Sequence, residues 1–422
     1  MPKQKERKLR PKTLDIHGGS SFVDRELRPL LARTIAFPLG KFENAERRFA
    51  GEEEGFIYTG INNPTLDRLE RRIASLEGAE ACLVTASGMS AIAVVAKHLA
   101  HLRGDIPMTD LFCKSVSYIH AHPPLAGTVM SGHIVTSDRL YGGTYHLFRE
   151  RLPRLGISVS FIHEPHNLEC WKSNIFGNTR FLYVETPSNP TIDIFDLAGI
   201  ARIAKANNIP LVVDSTLATP VLLNPLKLGA DIVIHSLSKY MGDGEVIGGA
   251  VLGKKVFIDE LRQTWFRDFR PCLSPDNAAI FLSHIESLHV RMHEHCRNAE
   301  RVAAFLKSHG GVVGVWYPTE SIDPSRCRQL MPKGFGGLLS FEVKGGREAA
   351  KKVLESLRLF WHSVNIGESR SLVIHPATTT HGQLTPEEKA RAGITEGMLR
   401  LSIGREDYRD LIDDLKQALE KI

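Results

Sequence analysis

Seven short apolar runs most constrain what this chain can fold into. They lie at 81–85 (ACLVT), 133–137 (HIVTS), 158–162 (SVSFI), 180–185 (RFLYVE), 210–214 (PLVVD), 231–235 (DIVIH) and 248–252 (GGAVL). Helical stretches or long loops separate most of them. The runs are too short for core helices and too continuously apolar to leave one face in water. Strands buried on both faces and joined by crossovers make a mostly parallel sheet with helices on each side. The expectation is an α/β fold with a seven-stranded, mostly parallel sheet. In such sheets ligands bind beyond the carboxyl ends of the strands. Ser87, Asp214 and Ser236 to Lys239 all lie at such ends.

Lys239 stands in His235-Ser236-Leu237-Ser238-Lys239-Tyr240, just before a loop carrying Gly242, Gly244, Gly248 and Gly249. A lysine after a strand is ordinarily a solvated loop charge. At the mouth of a buried strand it loses solvent, its pKa falls, and the free amine becomes a nucleophile or Schiff-base partner. Ser236 and Ser238 can hold an anion beside it. The combination suits a cofactor with both an aldehyde and a phosphate. Asp214 either caps the Ser215-Thr216 turn or keeps a ring nitrogen protonated, where each pKa unit is worth about 1.4 kcal/mol.

Thr85-Ala86-Ser87-Gly88-Met89-Ser90 joins a strand to an apolar helix. Amides at a helix N-terminus bind phosphate, and small residues let it approach. No GK[ST] follows, so this is not a P-loop. Tyr141, ahead of Gly142-Gly143-Thr144, is either a turn residue or an aromatic that stacks on a flat cofactor or moves a proton. Arg400 is a lone charge in the apolar run Met398-Leu399-Arg400-Leu401-Ser402. Either a structural ion pair or a substrate carboxylate would satisfy it.

Downstream of the seven runs, a long helical segment is expected at about 274–308, then strands near 337–343 and 371–374 and a final helix at 406–421. Upstream, Leu66, Leu69, Ile73 and Leu76 recur at helical spacing, with Thr65 as the expected N-cap. The division expected is an arm over 1–62 that contacts a neighbouring subunit, a large domain over 63–290 and a small α+β domain over 291–422. Much of the net charge of +5 comes from Lys3, Lys5, Arg7, Lys8, Arg10 and Lys12, opposed by Glu6. Such a run reads as a solvated tail. No basic helix or aromatic RNA motif accompanies it, which argues against a nucleic-acid partner. No stretch approaches a membrane span, and no apolar signal core stands at the N-terminus. The six cysteines are scattered without a CxxC pair, which favours free thiols, a reducing cytoplasmic setting and no zinc site. His120-Ala121-His122 lacks further ligands at suitable spacing, so no metal is expected.

In combination the motifs resemble the Cys/Met-metabolism family of fold-type-I pyridoxal-phosphate enzymes. The resemblance runs from about Thr13 to the C-terminus. It rests on Tyr58-Thr-Gly-Ile-Asn-Asn63-Pro64-Thr65, Thr85-Ala-Ser-Gly-Met89, Leu140-Tyr-Gly-Gly-Thr144, Glu185-Thr-Pro-Ser-Asn-Pro-Thr191, Val213-Asp-Ser-Thr216, His235-Ser-Leu-Ser-Lys239-Tyr240, Ser371-Leu-Val-Ile-His-Pro376 and Leu399-Arg-Leu-Ser402. It implies that Lys239 links covalently to pyridoxal 5'-phosphate and later shuttles protons. Asp214 would pair with the ring nitrogen and Tyr141 would stack on the ring. Gly88, Met89, Ser236 and Ser238 would bind the phosphate, with Tyr58 reaching in from a neighbouring subunit, and Ser87 and Thr216 would also contact the cofactor. Asn189 would lie near the phenolic oxygen. Arg400, with Asn365 and Tyr58, would take the substrate. The assembly implied is a homotetramer built as a dimer of dimers.

Three departures from the family pattern stand out. Gly60 occupies a position where the family usually has an arginine, a loss worth about 1–3 kcal/mol of phosphate binding unless another cation substitutes. The loop Gly242-Asp243-Gly244 looks about one residue short. Extra sequence lies at about 104–130. Methionine γ-lyases usually carry a cysteine where this chain has Gly143. The pieces Val364-Asn365-Ile366-Gly367, Ser371 to His381 and Gln383 to Glu387 look most like O-acetylhomoserine sulfhydrylases. The resemblance therefore implies γ-replacement on an O-acylhomoserine by a sulfur donor, with methionine γ-lyase or cystathionine γ-lyase or γ-synthase chemistry as the alternative. A weakly cofactor-binding, non-catalytic partner subunit is the reading from another class.

Overall fold

The computed structural model describes residues 9–19, 31–100, 132–321 and 323–422. Lys3 to Lys8, His120 to His122 and the 104–130 segment lie outside the described residues.

The seven apolar runs are the seven strands of one sheet. They are β1 (Ala81–Thr85), β2 (His133–Ser137), β3 (Ser158–Ile162), β4 (Thr179–Glu185), β5 (Leu211–Asp214), β6 (Ile232–Ser236) and β7 (Gly249–Gly253), in the order β1-β7-β6-β5-β4-β2-β3. Strands β6, β5, β4, β2 and β3 pair in parallel, and β7 runs antiparallel to both neighbours. The near-continuous hydrophobicity has a direct cause. Successive side chains point to opposite faces, and both faces are covered. Leu83, Ile134, Tyr183 and Val212 enter one core with the Gly88–Ala100 helix. Their neighbours Val84, Val135, Val184 and Val213 enter the other core, with the Pro64–Glu77, Leu197–Ala206 and Leu288–Ser308 helices.

A second sheet of five strands follows. It comprises β8 (Val312–Trp316), β9 (Leu338–Val343), β10 (Trp361–His362), β11 (Leu372–Ile374) and β12 (Met398–Ser402), ordered β10-β11-β12-β9-β8 and antiparallel except for β10 with β11. The Tyr408–Leu419 helix closes the chain and carries Asp407 as its N-cap.

Two local expectations are corrected. Asn63, not Thr65, caps the Pro64–Glu77 helix, and its side chain accepts from the Thr65 amide at 2.8 Å. Proline at the first helical position needs no amide partner and has a helical φ, so the cap falls before it. The hydroxyl of Thr65 instead accepts from the Ala32 amide at 3.0 Å and ties down the arm. The segment expected as one helix at 274–308 is two, Pro275–Ile285 and Leu288–Ser308, because the chain turns at Glu286-Ser287.

Candidate active site

Parallel strands deliver their last residues to one edge, and here that edge carries chemistry. Glu185 ends β4 and Asp214 ends β5, in register with each other. Ser236 ends the next strand, β6, and Lys239 follows one turn later. With Ser87, Gly88, Tyr141, Asn189, Asn365 and Arg400 these residues line a single cavity of about 460 Å³. Met89, Thr216 and Ser238 line it too, so of the expected site residues only Tyr58 does not. Two sheets build the cavity. The large one contributes Lys239 and the carboxylates, and β12 of the small one contributes Arg400.

Lys239 is not a solvated loop charge. Burial, followed by the Arg400 charge, lowers its pKa to about 8, and Glu368 pulls the other way. Its ammonium donates to Asn365 Oδ1 at 2.6 Å, and Asn365 Nδ2 donates to Glu368 Oε1 at 2.6 Å.

Asp214 is buried and held on both oxygens. Oδ1 accepts from the Thr216 amide (3.0 Å) and hydroxyl (2.6 Å), and Oδ2 accepts from the Tyr183 hydroxyl at 3.3 Å. Desolvation pushes its pKa up and the Thr216 bonds pull it down. Glu185 is pushed much further, first by burial and then by the Asp214 charge beside it. Two adjoining buried carboxylates do not both ionise easily, so Glu185 is the neutral member and Asp214 keeps the charge. Glu185 Oε2 accepts from the Tyr141 amide at 2.8 Å, which fixes where that ring starts.

The anion cradle is a steric construction. Ser87 Oγ accepts from the Ser90 amide at 3.1 Å and so caps the Gly88–Ala100 helix. The Gly88 and Met89 amides belong to the first turn, which has no acceptors within the helix. A Cβ on Gly88 would lie 2.6 Å from Ser236 Cβ, and one on Gly249 would lie 2.2 Å from Ser87 O. Glycine at these positions is what lets the loop and the end of β6 approach. The Ser236 amide donates to Thr216 Oγ1 at 2.8 Å. The Ser238 hydroxyl both donates to and accepts from the Gly248 backbone (3.1 and 3.0 Å), so it also closes the glycine loop.

Arg400 is buried. Its Nη1 donates to Asn189 Oδ1 (3.1 Å) and its Nη2 to the Val364 carbonyl (3.0 Å), while Nε has no hydrogen-bond partner. Burial lowers its pKa to about 10. Among the described residues no carboxylate pairs with it, which is the arrangement an anionic ligand would complete.

The departures also find a physical account. Arg270 places its guanidinium over the Tyr58 ring, 5.3 Å from the centroid, and its Cδ would be 3.7 Å from a Cβ on Gly60. A cation therefore stands beside the glycine. Asp243, in the short loop, pairs with Arg405 at 2.6 Å, accepts from Ser369 at 3.1 Å and lies 3.8 Å from buried Arg291. The loop is tied to the segment around 369 and 405.

An amine of lowered pKa, a buried carboxylate beyond it and a tight small-residue cradle fit the aldehyde, ring nitrogen and phosphate of pyridoxal phosphate. Glu185 and Glu368 were not singled out from sequence. The position of Glu185 at a strand end was the available signal. Nothing local marks Glu368, because its partners are distant in the chain.

Comparisons with known proteins agree. The family model described as "Cys/Met metabolism PLP-dependent enzyme" matches residues 12–420. An L-methionine γ-lyase of Fusobacterium nucleatum subsp. polymorphum is 39% identical over 395 residues, 92% of each chain. An O-acetyl-L-homoserine sulfhydrylase of Leptospira meyeri is 37% identical over 464 aligned positions, covering 99% of this chain and 98% of the relative. A crystal structure of a candidate O-acetylhomoserine (thiol)-lyase from Campylobacter jejuni, carrying N'-pyridoxyl-lysine-5'-monophosphate, superposes with a TM-score of 0.88 at 34% identity, over 98% of this chain and 100% of that one. The likeness runs through both sheets, and the chain belongs to the Cys/Met-metabolism family of pyridoxal-phosphate-dependent, fold-type-I enzymes.

Proposed function

We propose that this protein catalyses γ-replacement on an O-acylated homoserine, with sulfide or a thiol taking the place of the acyloxy group, as in O-acetylhomoserine sulfhydrylases. The observation that carries the reading is Asn365. Its carbonyl oxygen sits on the Lys239 amine at 2.6 Å, in the stretch whose sequence looks most like those enzymes. Gly143 supports it. A Cβ there would lie 2.6 Å from Tyr141 Cε1 and 3.3 Å from Met89 Sδ, so the cysteine usual in methionine γ-lyases would displace the ring. The 39% identity to a methionine γ-lyase favours γ-elimination as the second reading.

When bound, pyridoxal phosphate supplies an aldehyde that condenses with amines and a ring that accepts electrons released at carbon. The chain does the rest. The amides of Gly88 and Met89, with Ser87, Ser236, Ser238 and Thr216, hold the phosphate. Asp214 keeps a proton at the ring nitrogen. Tyr141, set by Glu185, covers the ring, and Asn189 borders the phenolic oxygen. Arg400 binds the substrate carboxylate. Lys239 Nζ, of pKa about 8, removes and returns protons at the substrate carbons near neutral pH. Tyr58 and Arg270 serve a neighbouring subunit, and exposed Ile35, Phe42 and Phe49 on the 1–62 arm support burial there. The assembly proposed is a homotetramer in the cytoplasm, each subunit dividing at 63–290 and 291–422.

The test is a substrate panel on purified protein. O-Acetylhomoserine with sulfide should give homocysteine and acetate. Release of ammonia and 2-oxobutanoate from methionine alone would overturn the choice in favour of the lyase. The lysine-bound cofactor should absorb at about 420 nm, and Lys239→Ala should remove that band.

A further inference from the structure

Glu368 does not line the cavity, and yet it ends a chain of contacts that begins at Lys239. Its Oε1 takes the Asn365 amide hydrogen at 2.6 Å, and this orients Asn365 Oδ1 toward the lysine amine, again at 2.6 Å. An amide side chain can rotate to present either its oxygen or its nitrogen. The carboxylate on its NH₂ side excludes the flipped arrangement, which would point two donors at an ammonium. Room for Glu368 comes from the short loop. A Cβ on Gly244 would lie 2.2 Å from Glu368 Cγ, and Gly244 has φ +75°, which a larger residue adopts only with strain. The loop is fixed nearby by Asp243, which binds Ser369 next to Glu368.

We propose that Glu368 is a positioning residue that, through Asn365 and in the space Gly244 leaves open, holds and tunes the Lys239 amine whenever that amine is free. The proposal rests on Lys239 being the cofactor lysine.

The charged groups around the amine are few. Arg400 faces it from β12. Asp214 and neutral Glu185 line the cavity from the ends of β5 and β4, Glu245 lines it from the loop before β7, and Tyr141 lines it beside Glu185. Arg400 favours the neutral amine and Glu368 favours the ammonium. Removing the Glu368 charge should therefore move the lysine titration downward. A carboxylate one amide group away should move it by roughly half a unit to one unit.

The experiment measures the rate of Lys239 modification by trinitrobenzenesulfonate in apoprotein across pH, read by mass spectrometry. In parallel, pyridoxal phosphate is added and the band of the lysine-bound cofactor is followed. Glu368→Gln keeps an acceptor for Asn365 and removes the charge, whereas Glu368→Ala removes both. Both variants should shift the modification midpoint down. At pH 9 cofactor capture should slow several-fold in Glu368→Ala relative to Glu368→Gln, because only Ala frees Asn365. Gly244→Ala leaves the carboxylate present but displaced, and should behave like Glu368→Ala. Midpoints that stay with wild type in all three folded variants would overturn the proposal. Absence of the cofactor band in wild type would instead sink the cofactor role, while the modification midpoints would still report on Glu368.

Discussion

Gly88→Ala is the sharpest probe of the cradle. The added methyl carbon would sit 2.6 Å from Ser236 Cβ and 3.0 Å from its Cα, about 1 Å inside the 3.5–4.0 Å of a relaxed carbon contact. Ser236 cannot simply retreat. Its amide is bound to Thr216 Oγ1 and its backbone is laddered to Gly249, and Gly249 already faces Ser87 O with no space for a side chain. Relief therefore has to open the loop away from β6. Overpacking of this kind costs about 1–3 kcal/mol, and placed in the bound state it becomes a roughly 5- to 150-fold weaker hold on the cofactor. Alanine in a helix is worth up to about 1 kcal/mol over glycine, so the apoprotein's melting temperature should move little while affinity falls. The assay is titration of apoprotein with pyridoxal phosphate, following the lysine-bound band. The same methyl in a Ser236→Gly background loses the 2.6 Å contact and keeps only the 3.0 Å contact with Cα, so Gly88→Ala should cost clearly less affinity in that background than in wild type. A dissociation constant for Gly88→Ala within twofold of wild type would refute the steric argument.

Three further outcomes are expected. Glu185→Gln preserves a neutral acceptor for the Tyr141 amide, whereas Glu185→Ala leaves that amide unpaired at a cost of about 1–3 kcal/mol, so turnover should fall in Ala far more than in Gln. The raised Glu185 pKa means that this group favours the fold at low pH and opposes it as pH rises through its folded value; Glu185→Gln should therefore gain alkaline stability relative to wild type in melting scans, and no gain would contradict a neutral Glu185. Asp243→Asn removes the counter-charge of Arg405 and of buried Arg291, which should cost about 2–3 kcal/mol after allowing for the partial exposure of Arg405; a urea midpoint equal to wild type would show that the loop is not held this way. Arg270→Met should raise the cofactor dissociation constant roughly fivefold or more if Arg270 compensates for Gly60, and an unchanged constant would mean that it does not.

Much of the large sheet is legible from sequence, because every strand but the part-exposed edge strand β3 is buried on both faces and its run is mostly apolar. The antiparallel course of β7 is not, since Gly249-Ala250-Val251-Leu252 reads the same in either direction. Strand β8 also escapes notice, because Val312-Val313-Gly314-Val315-Trp316 lies at a sheet edge and only Val315 is buried. In the site, residues at strand ends announce themselves through position, as Asp214 and Lys239 do. Asn365 entered as a substrate contact, and its bond to Lys239 emerges only when residues 126 positions apart are brought together. The short Gly242-Asp243-Gly244 loop is visible in sequence as a departure, but its meaning needs Glu368 and Arg405 in place.

The cavity is lined by residues from both sheets, and in the proposed function the two walls serve different molecules. On the proposed function, residues of the first sheet would meet the cofactor, while Arg400 and the segment around Val364 and Asn365 would meet what the cofactor acts upon. Substitutions in the second wall that spare Asn365 and its Glu368 partner should then alter the choice of substrate while leaving the cofactor's grip untouched. A laboratory search for new sulfur nucleophiles or leaving groups could thus be confined to residues 363–371 other than Asn365 and Glu368, which reach Lys239, with the cofactor machinery held constant.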